Sequence, residues 1–229
     1  MDVVHLGEVD STNDHAKRLL GSGRTGLFWV RADRQTAGRG RLRREWTSRE
    51  GNLFCTGAIP TERPVRERHR YSFAAALAVR DLLQAGGVTG VEMKWPNDVL
   101  VDDRKVAGIL LESERDHIVV GIGLNIAHHP EDTRTPATHL AELGWRPGVE
   151  EAFRGLAYAV LHRFGQPWER VHREWLIHAC CIGEEFRVKR GGDSLLGTYE
   201  GLGEDGELLL RTRSGTVPVT SGDIQRLEG

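Results

Sequence analysis

The sequence predicts an α+β fold: a mixed, largely antiparallel sheet flanked by helices, followed by a small C-terminal β-barrel. Three observations carry this. Strand-like and helix-like segments come in runs rather than in strict alternation, the pattern of an α+β domain. Tyr71 to Gln84 (YSFAAALAVRDLLQ) places apolar residues at helical spacing and ends in Gly86-Gly87, so it reads as a core-covering helix. From Gly183 onward the text changes to short strands separated by glycine turns. We therefore expect two domains, residues 1–181 and 182–229.

Taken in order, Val3 to Val9 reads as a strand. Asp10-Ser11-Thr12-Asn13-Asp14 then supplies an N-cap and an acidic first turn for a helix through Leu20. Leu27 to Ala32 and Asn52 to Ile59 are strands on either side of the polar segment Asp33 to Gly51. After the Tyr71 helix come four β-rich segments, Val91 to Trp95, Val99 to Val101, Lys105 to Glu112 and Ile118 to Ile126, joined by Pro-Asn-Asp, Asp-Asp-Arg and Ser-Glu-Arg-Asp turns. A loop holding Pro130, Pro136 and Pro147 precedes helices from about Val149 to Phe164 and Trp168 to Cys180, with Glu150 and Glu151 at the positive end of the first. The tail offers FRVKR, LLGTYEG, GELLLRT, GTVPVT and DIQRL as strands.

The 229 residues, 39% of them hydrophobic, can bury a full core, and 31 Lys+Arg against 33 Asp+Glu leave a formal charge of −2. This speaks against disorder and against a basic, nucleic-acid-coating surface. MDVVHLGEVDST lacks a signal peptide or membrane span, so a cytoplasmic protein without a membrane partner is expected. Cys55, Cys180 and Cys181 form no CxxC pair and read as buried thiols in a reducing compartment.

Three clusters could carry chemistry. Seven arginines (31, 34, 39, 41, 43, 44, 49) crowd into Arg31 to Arg49, and Gly38-Arg39-Gly40-Arg41 lets backbone approach a ligand while guanidinium groups clasp carboxylate or phosphate oxygens. Trp46 offers a flat face nearby; a solvated basic loop is the plainer reading. Neither a Rossmann fingerprint nor a P-loop is present. In KWPNDVLVDDRKVAGILLE, Lys94 to Glu112, two of the chain's four lysines (17, 94, 105, 189) fall close together, and the Pro96-Asn97-Asp98 turn predicts Lys94 and Lys105 on neighbouring strands near one cavity, although an ordinary surface hairpin would read the same. In GIGLNI, Gly121 and Gly123 stand at alternate strand positions and clear one side of the sheet for a ligand, or for a tight sheet crossing.

With Ser11-Thr12-Asn13 before them, these clusters resemble in order and spacing the biotin–protein ligase family: STN, QTAGRGR with a following Trp, KWPNDVLVDDRKVAGIL and GIGLNI, covering about Val4 to Asn125. The resemblance implies a class II synthetase-like catalytic domain with an SH3-like β-barrel, in the short form that lacks an N-terminal DNA-binding domain. It implies ATP-dependent activation of biotin to biotinoyl-AMP with Mg²⁺, then transfer to a lysine of a biotin carboxyl carrier protein; no DNA partner is expected, and a homodimer is compatible. By the same resemblance, biotin would be held by Ser11, Thr12, Asn13, Gln35, Gly38, Arg39, Gly40, Arg41, Lys105, Gly108, Gly121 and Gly123. ATP would meet Arg39, Arg41, Trp46, Lys94, Asn97 and Asn125, with Lys105 and Arg41 catalytic. No protein metal site is expected, and His128-His129 reads as loop surface. Arg43 stands where the family commonly has glycine, which bears on adenylate retention. A lipoate or octanoate ligase or transferase is the nearest alternative, though none of the cysteines sits in the motif of the octanoyl-transfer type. A non-enzymatic nucleic-acid module is the more distant one.

Overall fold

The computed structural model describes residues 1–131, 133, 135–190 and 193–227. Seven strands form the main sheet: β1 (Val3–Val9), β2 (Phe28–Gln35), β3 (Leu53–Pro60), β4 (Val91–Lys94), β5 (Asp98–Val101), β6 (Arg104–Glu114) and β7 (His117–Leu124). Their spatial order is β1-β2-β3-β7-β6-β5-β4, with β1 parallel to β2 and every other pair antiparallel. The parallel pair needs a crossover, which α1 (Thr12–Gly21) supplies.

The two faces of the sheet bury different residues, as the two-residue period of a strand requires. On one face Phe28, Val30, Ala58 and Val119 pack with Ala16 and Leu20 of α1. On the other, Trp29, Cys55, Ile109, Val120 and Ile122 join the larger core built by α2 (Arg70–Ala85), α3 (Val149–Phe164) and α4 (Trp168–Ile177). Trp29 meets Phe153 of α3 edge to face, with centroids 5.7 Å apart. The buried Arg163 guanidinium ties the three helices together through Asp81 at 2.6 and 2.7 Å and Glu174 at 2.5 Å.

The helix α1 starts where the sequence indicates. Ser11 is its N-cap and accepts from the Asp14 amide at 3.4 Å, and Arg18 grips the Asp10 carboxylate with two hydrogen bonds of 2.7 and 2.8 Å. This places Thr12 and Asn13 buried at the helix N-terminus, against the middle of the sheet.

The tail folds into a second, five-stranded antiparallel sheet: β8 (Glu185–Arg190), β9 (Asp193–Leu202), β10 (Leu208–Thr212), β11 (Gly215–Val219) and β12 (Asp223–Arg226), in the order β11-β10-β9-β8-β12. This agrees with an SH3-like domain. The expected SH3-like β-barrel takes the form of an open sheet, in which β11 and β12 stand at opposite edges with no ladder joining them among the described residues. Phe186, Val188, Tyr199, Leu202 and Leu208 enter the same apolar core as the helices. The turn at 203–206 is clamped between the two sheets: Trp95 Nε1 donates to the Gly206 carbonyl at 3.0 Å, and Trp168 Nε1 to the Glu204 carbonyl at 2.7 Å. No helix is long and apolar enough to cross a membrane.

Candidate active site

The helix α1 covers only part of its side of the sheet. Beyond its N-terminus the same face continues through Thr56 and Phe54 on β3, Gly121 and Gly123 on β7, and Leu110 and Gly108 on β6, which are paired across the strands. A cleft of about 280 Å³ opens there. Its walls come from the 39–47 segment on one side and from Pro130, Thr133, Thr135 and Ala137 on the other.

Glycine makes this floor. Gly108 and Gly123 face each other across β6 and β7, and the Trp46 indole lies directly over them: a Cβ at Gly123 would stand 2.4 Å from the ring, and one at Gly108 2.8 Å. The Trp46 Nε1 hydrogen is buried without a partner. Gly121 leaves room for Asn13, whose Oδ1 would lie 2.0 Å from a Cβ added there.

Around Asn13 runs a continuous polar chain. Thr56 Oγ1 reaches both Thr12 Oγ1 (2.8 Å) and Asn13 Oδ1 (2.7 Å), and Asn13 Nδ2 donates to Glu112 Oε2 (2.9 Å) and the Leu110 carbonyl (3.3 Å). Gln35 Oε1 accepts from the Thr12 amide (2.8 Å) and its hydroxyl (3.1 Å), while Gln35 Nε2 donates to Ser48 Oγ. Every buried polar atom in this chain is engaged, so the ring of side chains is held in one arrangement.

The charges are organised in two groups. Arg39 forks onto Asp14 at 2.5 and 3.1 Å and reaches Glu112 at 3.1 Å, with Lys17 bridging both carboxylates. The Arg39 hydrogen bond holds the Asp14 carboxyl below its usual range. Burial pushes Glu112 up, but Asn13, Lys17 and Arg39 together outweigh it and leave Glu112 lowered as well. In the second group Lys105 Nζ pairs with Asp98 at 2.6 Å and lies 5.1 Å from the Trp46 ring centre, a cation–π contact.

Of the residues singled out by sequence, Ser11, Thr12, Asn13, Gln35, Arg39, Gly40, Arg41, Trp46, Asn97, Lys105, Gly108, Gly121, Gly123 and Asn125 all line this one cleft. Two do not. Gly38 lies behind the loop, where a side chain would strike Ser48 Oγ, the Trp46 carbonyl and Gln35 Nε2 within 3 Å. Lys94 sits on β4 and donates to Thr135 Oγ1 at 3.2 Å; β5 separates it from Lys105 on β6, so the two lysines are not on neighbouring strands. The Arg43 side chain lies outside the described residues. Asp14, Lys17, Thr56, Asp98 and Glu112 were not anticipated as site residues, and only their spacing to Asn13 and Lys105 across the sheet reveals them.

The fold and this cleft define a class of protein: a synthetase-type ligase whose mixed sheet carries a cationic, glycine-floored pocket beside a small C-terminal β domain. Residues 7–125 match the biotin/lipoate A/B protein ligase family and residues 181–227 the biotin protein ligase C-terminal domain. The chain belongs to the biotin/lipoate A/B protein ligase family. It is 34% identical over 238 residues to a biotin–[acetyl-CoA-carboxylase] ligase of Paracoccus denitrificans, covering 96% of this chain and 98% of that one. It is 32% identical to the Mycobacterium tuberculosis protein of the same name, covering 99% and 89%. The biotin protein ligase of Aquifex aeolicus, solved with biotin and ATP, superposes with a TM-score of 0.86 at 27% identity over 100% of this chain and 99% of that one.

Proposed function

We propose that the cleft activates biotin with ATP as biotinoyl-AMP, releasing pyrophosphate, and passes the biotinoyl group to a lysine of a carboxylase carrier protein. The single observation that carries this reading is the convergence of Arg39, Arg41, Lys105 and Trp46 on a glycine floor beside the Ser11–Asn13 turn. The similarity to biotin ligases along nearly the whole chain, with a biotin protein ligase C-terminal domain at 181–227, favours biotin as the acid. In this reading residues 1–181 are the catalytic unit, residues 182–229 the smaller domain, and the protein works in the cytosol.

The biotin ring system would lie against Ser11, Thr12, Asn13 and Gln35 over Gly121. Its donors and acceptors would meet side chains whose own orientation is fixed by the Thr56–Glu112 chain. In the first step a biotin carboxylate oxygen attacks the α-phosphorus of ATP and pyrophosphate leaves. Two anions must approach, so positive charge has to be in place beforehand. Lys105 would sit at the reacting carboxylate and α-phosphate, with Arg39, Arg41 and Gly40 closing from the loop. A preorganised donor of this kind is worth on the order of 3 kcal/mol in the transition state. Lys105 would exchange its Asp98 contact for substrate oxygen, and Trp46 would give its place over Gly108 and Gly123 to stack beside adenine.

Asn97 and Asn125 donate from Nδ2 to the carbonyls of Ile109 (2.7 Å) and Thr138 (3.0 Å), so each amide oxygen remains as an acceptor-type ligand at the nucleotide end. That donor set fits Mg²⁺ carried on phosphate oxygens and water, which would offset phosphate charge when bound. In the second step the amine of a carrier lysine attacks the acyl carbonyl and AMP leaves. The 39–47 loop must exclude water in between, because the mixed anhydride hydrolyses.

The test is to supply biotin, lipoate and octanoate separately with Mg-ATP and follow pyrophosphate release, then to weigh a carrier domain by mass spectrometry. Biotin-dependent release and addition of one biotinoyl group are expected; silence with biotin overturns the proposal.

A further inference from the structure

Between β7 and α3 the chain returns to the cleft in a loop that is anchored at both ends. Asn52 Oδ1 accepts the amides of Ile126, Ala127 and His128 at 2.9, 2.9 and 3.1 Å, fixing the departure. The return is fixed by backbone hydrogen bonds of Lys105 to Pro136 and Thr138, and by Asn125 donating to the Thr138 carbonyl. This frame brings His129 next to His139, ten residues on, with Glu142 one helical turn further.

Their geometry is specific. His129 Nδ1 and His139 Nδ1 are 2.8 Å apart, and Glu142 Oε2 lies 3.9 and 3.8 Å from them. A triangle with those sides has its centre about 2.1 Å from each of the three atoms. Zinc binds imidazole nitrogen at about 2.0–2.1 Å and carboxylate oxygen at about 2.0–2.2 Å. Two imidazoles turned nitrogen to nitrogen can otherwise meet only if one Nδ1 carries the proton. Among the described residues this is the one group of three His, Cys, Asp or Glu side chains whose ligand atoms converge in this way.

We propose that His129, His139 and Glu142 form a binding site for a divalent transition cation, zinc by preference, with solvent completing its coordination. Two neutral imidazoles and one carboxylate are a donor set such cations favour over magnesium. Glu142 Oε2 also accepts from Thr138 Oγ1 at 2.8 Å, which orients the carboxylate, and touches Arg104 at 3.3 Å, a contact the cation would replace. The cation would cross-link the two ends of the loop that contributes Pro130, Thr133, Thr135 and Ala137 to the cleft, bracing that wall. The site stands or falls independently of which acid the cleft activates.

The experiment titrates untagged, full-length protein with Co²⁺ and follows the visible absorption of a low-symmetry cobalt site, then displaces it with Zn²⁺. One equivalent per chain is expected, with a zinc-dependent rise in Tm. His129→Ala and His139→Ala should each weaken binding at least about 100-fold, and Glu142→Gln measurably, while His128→Ala, whose ring is outside the triangle, leaves affinity within twofold. Circular dichroism confirms that the variants fold. Absence of stoichiometric cobalt binding in the wild type, or binding that survives in the His129→Ala/His139→Ala double variant, overturns the proposal, as does an equal loss in His128→Ala.

Discussion

Gly121→Ala tests the core of the site directly. The added Cβ would stand 2.0 Å from Asn13 Oδ1 and 2.9 Å from its Cγ, against ordinary contact beginning near 3.4 Å, so the overlap is about 1.4 Å. Neither partner can yield easily. Gly121 is paired on both sides, to Thr56 and Leu110, and Asn13 is 3% exposed and tied to Thr56, Leu110 and Glu112. Overpacking a filled interior costs about 1–3 kcal/mol, and stranding one buried amide group another 1–3 kcal/mol or so. The two overlap, because moving Asn13 relieves the first by incurring the second, and about 3 kcal/mol is expected. For a chain of this size that lowers Tm by about 6–12 °C. Thermal unfolding should be read beside biotin binding by calorimetry, which is expected to weaken at least about tenfold as Asn13 leaves its place. Gly7→Ala is the control: nothing lies within 4 Å of its Cβ, and no comparable change is expected. A Gly121→Ala protein that melts within 2 °C or so of wild type and binds biotin equally would refute the reasoning.

Further outcomes follow from the charges. Lys105→Ala should lower adenylate formation by about 100-fold or more with the far-ultraviolet spectrum unchanged; a rate within threefold or so of wild type removes Lys105 from the chemistry. Arg41→Gly is expected to release biotinoyl-AMP into solution, measured as free intermediate by chromatography, and undiminished retention would count against the loop assignment. Because Asp14 and Glu112 have carboxyls lowered from 3.8 and 4.5, the stability they confer through Arg39 is present above those values and fades as pH falls through the lowered ones. The Tm difference between wild type and Glu112→Gln should therefore be full near neutrality and shrink as the pH falls below 4.5; a difference independent of pH would contradict the network.

Much of the site was legible because its signals are local. An N-cap run fixes where α1 begins, so Ser11, Thr12 and Asn13 could be placed at one helix end, and the two-residue pitch of Gly121 and Gly123 puts both on one face whatever the rest of the sheet does. Partners defined by register were out of reach. Arg39 meets Glu112 across 73 residues, and Thr56 meets Asn13 across 43, through strand neighbours that no periodicity announces. The Lys94 error has another origin. Two turns, Pro96-Asn97-Asp98 and Asp102-Asp103-Arg104, already stand between the lysines in the sequence, and counting both puts β5 between them, as the structure does. Gly38 was grouped with the ligand because glycine signals close approach, but here the approaching group is the protein's own Ser48 and Trp46 backbone. His129 was read with its neighbour His128, whereas its partner is His139, ten residues away in a loop whose shape is set by Asn52 and Lys105.

The clamped turn at 203–206 has a mechanical meaning. Two indole N–H groups, from Trp95 at the edge of the large sheet and Trp168 on α4, grip the Gly206 and Glu204 carbonyls of one small hairpin, and Phe73 and Trp168 close over Gly206. Severing the chain after residue 181 would bare those aromatic rings and strand two buried donors at once. The two halves are thus one melting unit, and differential scanning calorimetry should trace a single endotherm rather than a pair.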